Sequence, residues 1–188
     1  MKGVILATAV SFYSLSCFAA AQQTFQVDSV TGAATWMTNQ HGVNFSLTQI
    51  LPQQAQAFYV NRGFTLKQIQ SYATSCVFMT VLRNDNAPGT IHFVRKNWSV
   101  VIDGKSRRVL STDHWLQQLK SNNIKKSALV AFRWAQFPSE QKYEPGGDWN
   151  QGMLTVGLAP GSVFDVIARW DIDGKPYTAK LQEVRCAN

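Results

Sequence analysis

Residues able to do chemistry are few in this chain, and they are scattered. The three histidines, His41, His92 and His114, fall on three different predicted elements. None is spaced from another as two metal ligands on one helix or strand would be. Met37 and His41 form the one soft pair, since thioether and imidazole suit Cu(I). The segment between them, Trp36-Met37-Thr38-Asn39-Gln40-His41, is otherwise hard to assign. Two ligands do not make a site, so copper needs a third donor, with Met79 and Met153 to consider. Met79 lies in an apolar run expected to be buried, which favours Met153. The competing reading gives Trp36 and Met37 to the end of a sandwich and His41 to a turn beside Gly42.

Carboxylates gather in one stretch, with Glu140, Glu144 and Asp148 inside residues 138–152. A pair of them beside Trp149 could hydrolyse an envelope polymer by general acid–base chemistry, or hold a hard cation, although the spacing is not that of an EF-hand. Ser111, Asp113 and His114 have the residue types of a catalytic triad, but neighbours along a helix do not face one another. An N-terminal helix cap explains them. The sequence contains no HExxH, no GxSxG and no phosphate loop.

Both ends bound the setting. Lys2, an apolar run from Val4 to about Leu15 and Ala19-Ala20-Ala21 read as an export signal cleaved before Gln22. A lipid anchor at Cys17 would need a lipobox, and Leu15 stands one place out of its usual position. Once Cys17 is removed, Cys76 and Cys186 are the only pair, and an even count in an oxidising compartment argues for a disulfide. The expected location is periplasmic or secreted, with no membrane-spanning segment after the signal. Loss of Lys2 takes the formal charge from +7 to +6. The basic dyads Arg95-Lys96, Arg107-Arg108 and Lys125-Lys126 are interleaved with aromatics, as in a nucleic-acid face. An exported protein favours a protein or an envelope component as partner, not nucleic acid.

Several elements can be read directly. Asp173-Gly174 is a two-residue type I′ turn signal, and it sets Ile172 against Lys175, Trp170 against Tyr177, Ala168 against Ala179 and Val166 against Leu181. These apolar pairs share one face, since side chains alternate along a strand. Asp165, Arg169 and Asp171 line the other face, with Lys180 diagonal to Asp165. Toward the open end, Val163, Ile167, Val184 and Cys186 make that second face apolar, and it must be covered there, with the segment around Cys76 as candidate. A second Asp-Gly hairpin follows Trp98, Val100 and Ile102 into Asp103-Gly104.

Pro52 opens a helix ending near Gly63. The capping box Thr65/Gln68 opens another, whose Leu66, Ile69, Tyr72, Ala73 and Cys76 recur at helical spacing. Cys76 to Leu82 reads as a buried strand, Ile91 to Phe93 as another, and residues 113–121 as a capping helix with Trp115, Leu116 and Leu119 inward. Ala128 to Phe137, apolar on both faces, is expected as a central strand, and Met153 to Leu158 as one more. Residues 22–42 read as a short edge strand and an extended arm. The domain then runs from 43 to 188, with a helical insertion at 52–75.

The expected fold is mainly β, an antiparallel sandwich or open barrel. An immunoglobulin-like layout is compatible, although the Cys–Trp–Cys spacing of that fold is absent. Residues 138–152 read as a long loop dense in Pro, Gly and Glu, with Tyr143 and Trp149 bracketed by Gly146-Gly147 and Gly152. Long loops in compact domains tend to work, so the expected binding residues are Trp149, Tyr143, Asp148, Glu144 and Asn150; the competing reading folds Trp149 back as a core plug. The leading function is a non-enzymatic binding or assembly accessory protein, with periplasmic copper handling and polymer hydrolysis as alternatives.

Overall fold

The computed structural model describes residues 23–120 and 123–188, so the export signal and Cys17 lie outside the described residues. Strands β1 (Gln23–Val27), β2 (Ala34–Gln40) and β3 (Val43–Gln49) lead into helices α1 (Pro52–Val60) and α2 (Leu66–Ala73). β4 (Val77–Asn84) and β5 (Ile91–Val94) are followed by a 3-10 turn at Arg95–Asn97 and the hairpin β6 (Ser99–Ile102) and β7 (Lys105–Arg108). Helices α3 (Thr112–Lys120) and α4 (Lys126–Trp134) precede β8 (Glu140–Tyr143), β9 (Asp148–Thr155), β10 (Val163–Ile172) and β11 (Lys175–Arg185).

These strands make a two-sheet antiparallel sandwich. The first sheet runs β1-β2-β3-β4-β9. In the second, β10 carries β11 on one edge; β6 and β5 share its other edge, with β7 and β8 outside them. Trp36, Phe45, Leu47, Phe78 and Leu82 of the first sheet meet Phe93, Trp98, Val166, Ala168 and Leu181 of the second. Four consecutive strands in one sheet are a meander, which replaces the sheet-to-sheet alternation of an immunoglobulin-like layout.

The organising hairpin forms as its residues dictate. Asp173 and Gly174 both have positive φ, 48° and 81°, and all four expected pairs occur. Lys180 reaches Asp165 at 2.7 Å. One feature differs. A bulge between Phe164 and Val166, with Glu183 at φ 53°, returns Val184 to the core face opposite Phe164. An added residue reverses the alternation beyond it, so Val184 and Cys186 are fully buried instead of facing outward. Cys186 there meets Cys76 with their Cα atoms 5.0 Å apart, joining the start of β4 to the end of β11. This cross-link between sheets closes a sequence separation of 110 residues. In the chain-entropy model it restricts the unfolded state by about 4–5 kcal/mol.

The helices cover part of the outer face of the first sheet. Tyr59, Ile69, Tyr72, Trp115 and Phe132 pack over Val77 and Met153. The expected strand at 128–137 is instead mostly helix α4, so two helices join the predicted pair where one was expected. Ala128 and Phe132, four apart, are buried, while Val130 is 46 % and Trp134 83 % exposed. The segment looked two-faced only because apolar residues also occupy its solvent side. Val130 is its one β-branched residue, and Ala, Leu and Arg favour helix. After α4 the chain lies along β9, with Phe137 N donating to Met153 O at 2.9 Å. Only glycine fits at 152, where a Cβ would stand 2.4 Å from Phe137 N.

Two further expectations change. Residues 34–40 are an inner strand and not an arm, paired with β1 on one edge and β3 on the other. Residues 138–152 are not a long loop but β8, a turn and the start of β9.

Candidate functional site

The turn between β8 and β9 is organised by Asn84, the last residue of β4, which is fully buried. Its amide donates to Gly89 O and Tyr143 O, at 3.0 and 2.9 Å, and its carbonyl accepts from Ala87 N. Gly146 N and Gly147 N donate to Asp85 O and Asn84 O. The five expected binding residues then separate. Tyr143 is buried against Phe93, and burial, with the charge of Asp148 second, pushes its hydroxyl pKa up. Glu144 accepts from Thr90 Oγ1 at 2.7 Å, and Asp148 accepts from Glu144 N at 3.2 Å. Trp149 and Asn150 are strand residues opposite Arg83 and Leu82. Only Trp149 offers a large apolar surface, being 48 % exposed.

The carboxylates do not converge on a reacting atom. Glu140 takes His92 Nε2 at 2.8 Å, while Asp171 takes the other ring nitrogen at 3.2 Å. His92 thereby ties β5, β8 and β10 together on the second sheet's outer face. The triad types separate in the same way: Ser111 Oγ accepts from His114 N as a cap, and Asp113 pairs with Arg133.

Met37 and His41 diverge. Met37 alternates with buried Trp36 and Thr38, so it points to the outer face, where Asn44 Nδ2 donates to its sulfur at 3.4 Å. His41 sits in the β2–β3 turn at φ 52°, its ring 4.7 Å from that of Tyr177 on the other sheet. The preference between third donors also reverses. Met153 is buried, with its sulfur accepting from Tyr59 OH at 3.2 Å, while Met79 is partly exposed. Among the described residues no group of three His, Cys, Asp or Glu is placed to hold a metal.

A groove opens on the opposite flank. Gln23, Phe25 and Val27 of β1 stand across from Thr38, Trp36 and Ala34, all buried on the inner face. Alternation points the β1 residues inward too. Phe25 is nonetheless 57 % and Val27 54 % exposed, because among the described residues β11 is the last strand of the second sheet and nothing roofs them. The gap is a groove of about 830 Å³ between Phe25 and Trp36 on one side and Val163, Gln182 and Arg185 on the other. The Phe25 and Trp36 rings are 5.3 Å apart.

Side-chain amides staple this flank. Gln182 N donates to Gln23 Oε1 at 2.6 Å, and Gln23 Nε2 donates to Gln182 O at 3.1 Å. A side chain here occupies the pairing slot a neighbouring strand's peptide group would fill. Buried Gln49 accepts from Ala34 N and donates to Arg185 O, at 2.9 and 2.8 Å. The alternation of Phe25 and Val27 was legible as an edge strand, but nothing in the sequence signalled that the facing sheet stops short.

Chemically, the groove offers a strand edge unpaired among the described residues, apolar side chains at a spacing of two residues and amides at its ends. That set suits an extended chain. Comparison with protein-family models, curated proteins and solved structures finds no match to this chain.

Proposed function

We propose that this is a non-enzymatic binding protein of an oxidising, extracytoplasmic compartment, which accepts an extended segment of a partner polypeptide along the groove between β1 and β11. The inward-facing yet uncovered Phe25 and Val27 carry the reading. An added strand presents side chains to alternate faces at about 6.6–7 Å intervals, which matches two apolar residues spaced by two on β1. Its main chain pairs with β1, which among the described residues has a neighbouring strand, β2, on one side only. The Cys76–Cys186 bridge fits an oxidising compartment. Among the described residues no helix is long and apolar enough to cross a membrane.

The test is a selection of displayed random peptides on the full chain, followed by hydrogen exchange of the complex. Selected peptides should slow exchange of the β1 amides, and Phe25→Arg should abolish their binding while leaving the melting temperature nearly unchanged. Selected peptides that still bind Phe25→Arg, or that protect a different edge, refute the reading.

A further inference from the structure

A second cavity, of about 520 Å³, opens where the 3-10 turn, the end of β7 and the first turn of α3 meet. Arg95, Lys96, Arg108 and His114 line it, with the hydroxyls of Ser111 and Ser139. The dyad Arg95-Lys96 and one member of the dyad at 107–108, Arg108, thus meet at one hollow. Arg95 is its distinctive member, only 4 % exposed. Its guanidinium donates to Phe137 O and, at 2.9 Å, to Thr112 Oγ1 at the start of α3. It has no ion pair among the described residues.

That arrangement is electrostatically incomplete. A buried cation is costly unless a counter-charge faces it, and here it also sits beside the positive end of a helix dipole. Asp113, the carboxylate whose charge reaches Arg95, is exposed and paired with Arg133 at 3.2 Å. Glu140 lines the rim but is bound to His92. Lys96 and Arg108 are exposed and add two more positive charges at the mouth. An anion within the cavity would answer all of these charges at once. Guanidinium forks and hydroxyls favour a tetrahedral oxyanion with several acceptor oxygens.

We propose that this cavity binds a phosphate group carried by a small molecule or a lipid headgroup, with Arg95 at its floor and Lys96 and Arg108 closing over it. The site is separate from the β1–β11 groove, so its fate does not depend on that reading.

The experiment titrates the full chain with inorganic phosphate by calorimetry and by amide shifts. In parallel it measures sedimentation with phosphatidylcholine vesicles, with and without phosphatidic acid. Phosphate should bind saturably and move the amides of residues 111–114 and 139. Lys96→Gln and Arg108→Gln, both at exposed positions, should each weaken binding roughly tenfold, as expected for loss of a charge-assisted contact. Lys125→Gln with Lys126→Gln, a dyad outside the cavity, should leave it unchanged. Recruitment to phosphatidic acid vesicles that Arg108→Gln abolishes assigns a lipid headgroup; binding of free phosphate without recruitment assigns a soluble ligand. Absence of both overturns the proposal. So does equal weakening by the control dyad, which marks general surface charge with an adventitious ion only.

Discussion

The two long flanks of the sandwich are finished in opposite ways. On the β9 flank, helices cover the sheet and every buried polar group in one relay is answered. Tyr72 OH donates to Gln136 Oε1 at 3.1 Å, Gln136 Nε2 donates to Tyr59 OH at 2.8 Å, and Tyr59 OH donates to Met153 sulfur. Burial pushes both phenols well above their ordinary pKa, so they remain neutral donors. On the β1 flank no layer among the described residues covers the sheet, and the amides of Gln23 and Gln49 close the edge. The first flank uses its apolar residues for stability. The second leaves Phe25 and Val27 more than half in water, where they contribute little to stability.

Truncation should separate the flanks by the largest margin. Phe132 is fully buried among Tyr59, Phe64 and Tyr72, and Phe132→Ala should cost about 3–5 kcal/mol. Phe25→Ala, at a position already more than half in water, should cost less than about 1 kcal/mol. Urea unfolding of the two variants measures both. Equal losses would mean that Phe25 is core, and the open flank would lose its functional meaning.

The relay gives the next effect. Gln136→Leu leaves the Tyr72 hydroxyl without its acceptor, and an unmet buried donor costs about 1–3 kcal/mol. Adding Tyr72→Phe should recover part of the loss, since removing both partners is cheaper than removing one. No recovery in the double variant would show that Gln136 acts through packing and not through the relay.

Legibility followed the range of the forces involved. The β10–β11 hairpin was readable because Asp173-Gly174 fixes the turn and alternation fixes the register; both are local. The disulfide followed from counting thiols. Helix α4 was misread because Val130 and Trp134 put apolar residues on its solvent face, which disguised a helical period as a buried strand. The bulge at Glu183 has no sequence signal, so Val184 and Cys186 were assigned to the wrong face. Residues 138–152 looked like a loop because Pro, Gly and Glu are punctuators, but pairing of β8 with β5 and of β9 with β4 overrides them. The groove and the basic cavity were invisible for a related reason: one depends on where a facing element stops, the other on Arg95, Lys96, Arg108 and His114 meeting only in the fold.

The smallest expected effect concerns the turn that anchors the open flank. Asp28 closes the β1–β2 connection, its Oδ1 accepting from Val30 N at 3.1 Å, Thr31 N at 2.6 Å and Thr31 Oγ1 at 2.7 Å. The Thr31 backbone bond, then its hydroxyl, hold the carboxyl below the usual aspartate value. A folded-state pKa below the unfolded one means that the charged form favours the fold. Its contribution is present above the unfolded value of about 3.9 and is lost as pH falls through the lower folded value. The group is fully solvent-exposed, so the effect on global stability is slight. It should instead appear locally: acid, or Asp28→Asn, should lower the amide protection factors of β1, corrected for the intrinsic exchange rate at each pH, while those of β10 and β11 are unaffected. A carboxyl titration midpoint at or above the ordinary aspartate value would remove the basis for this expectation. With the midpoint lowered, loss of β1 protection below it shows that the Asp28 turn helps to hold β1, which otherwise pairs with β2 and is tied to β11 through Gln23.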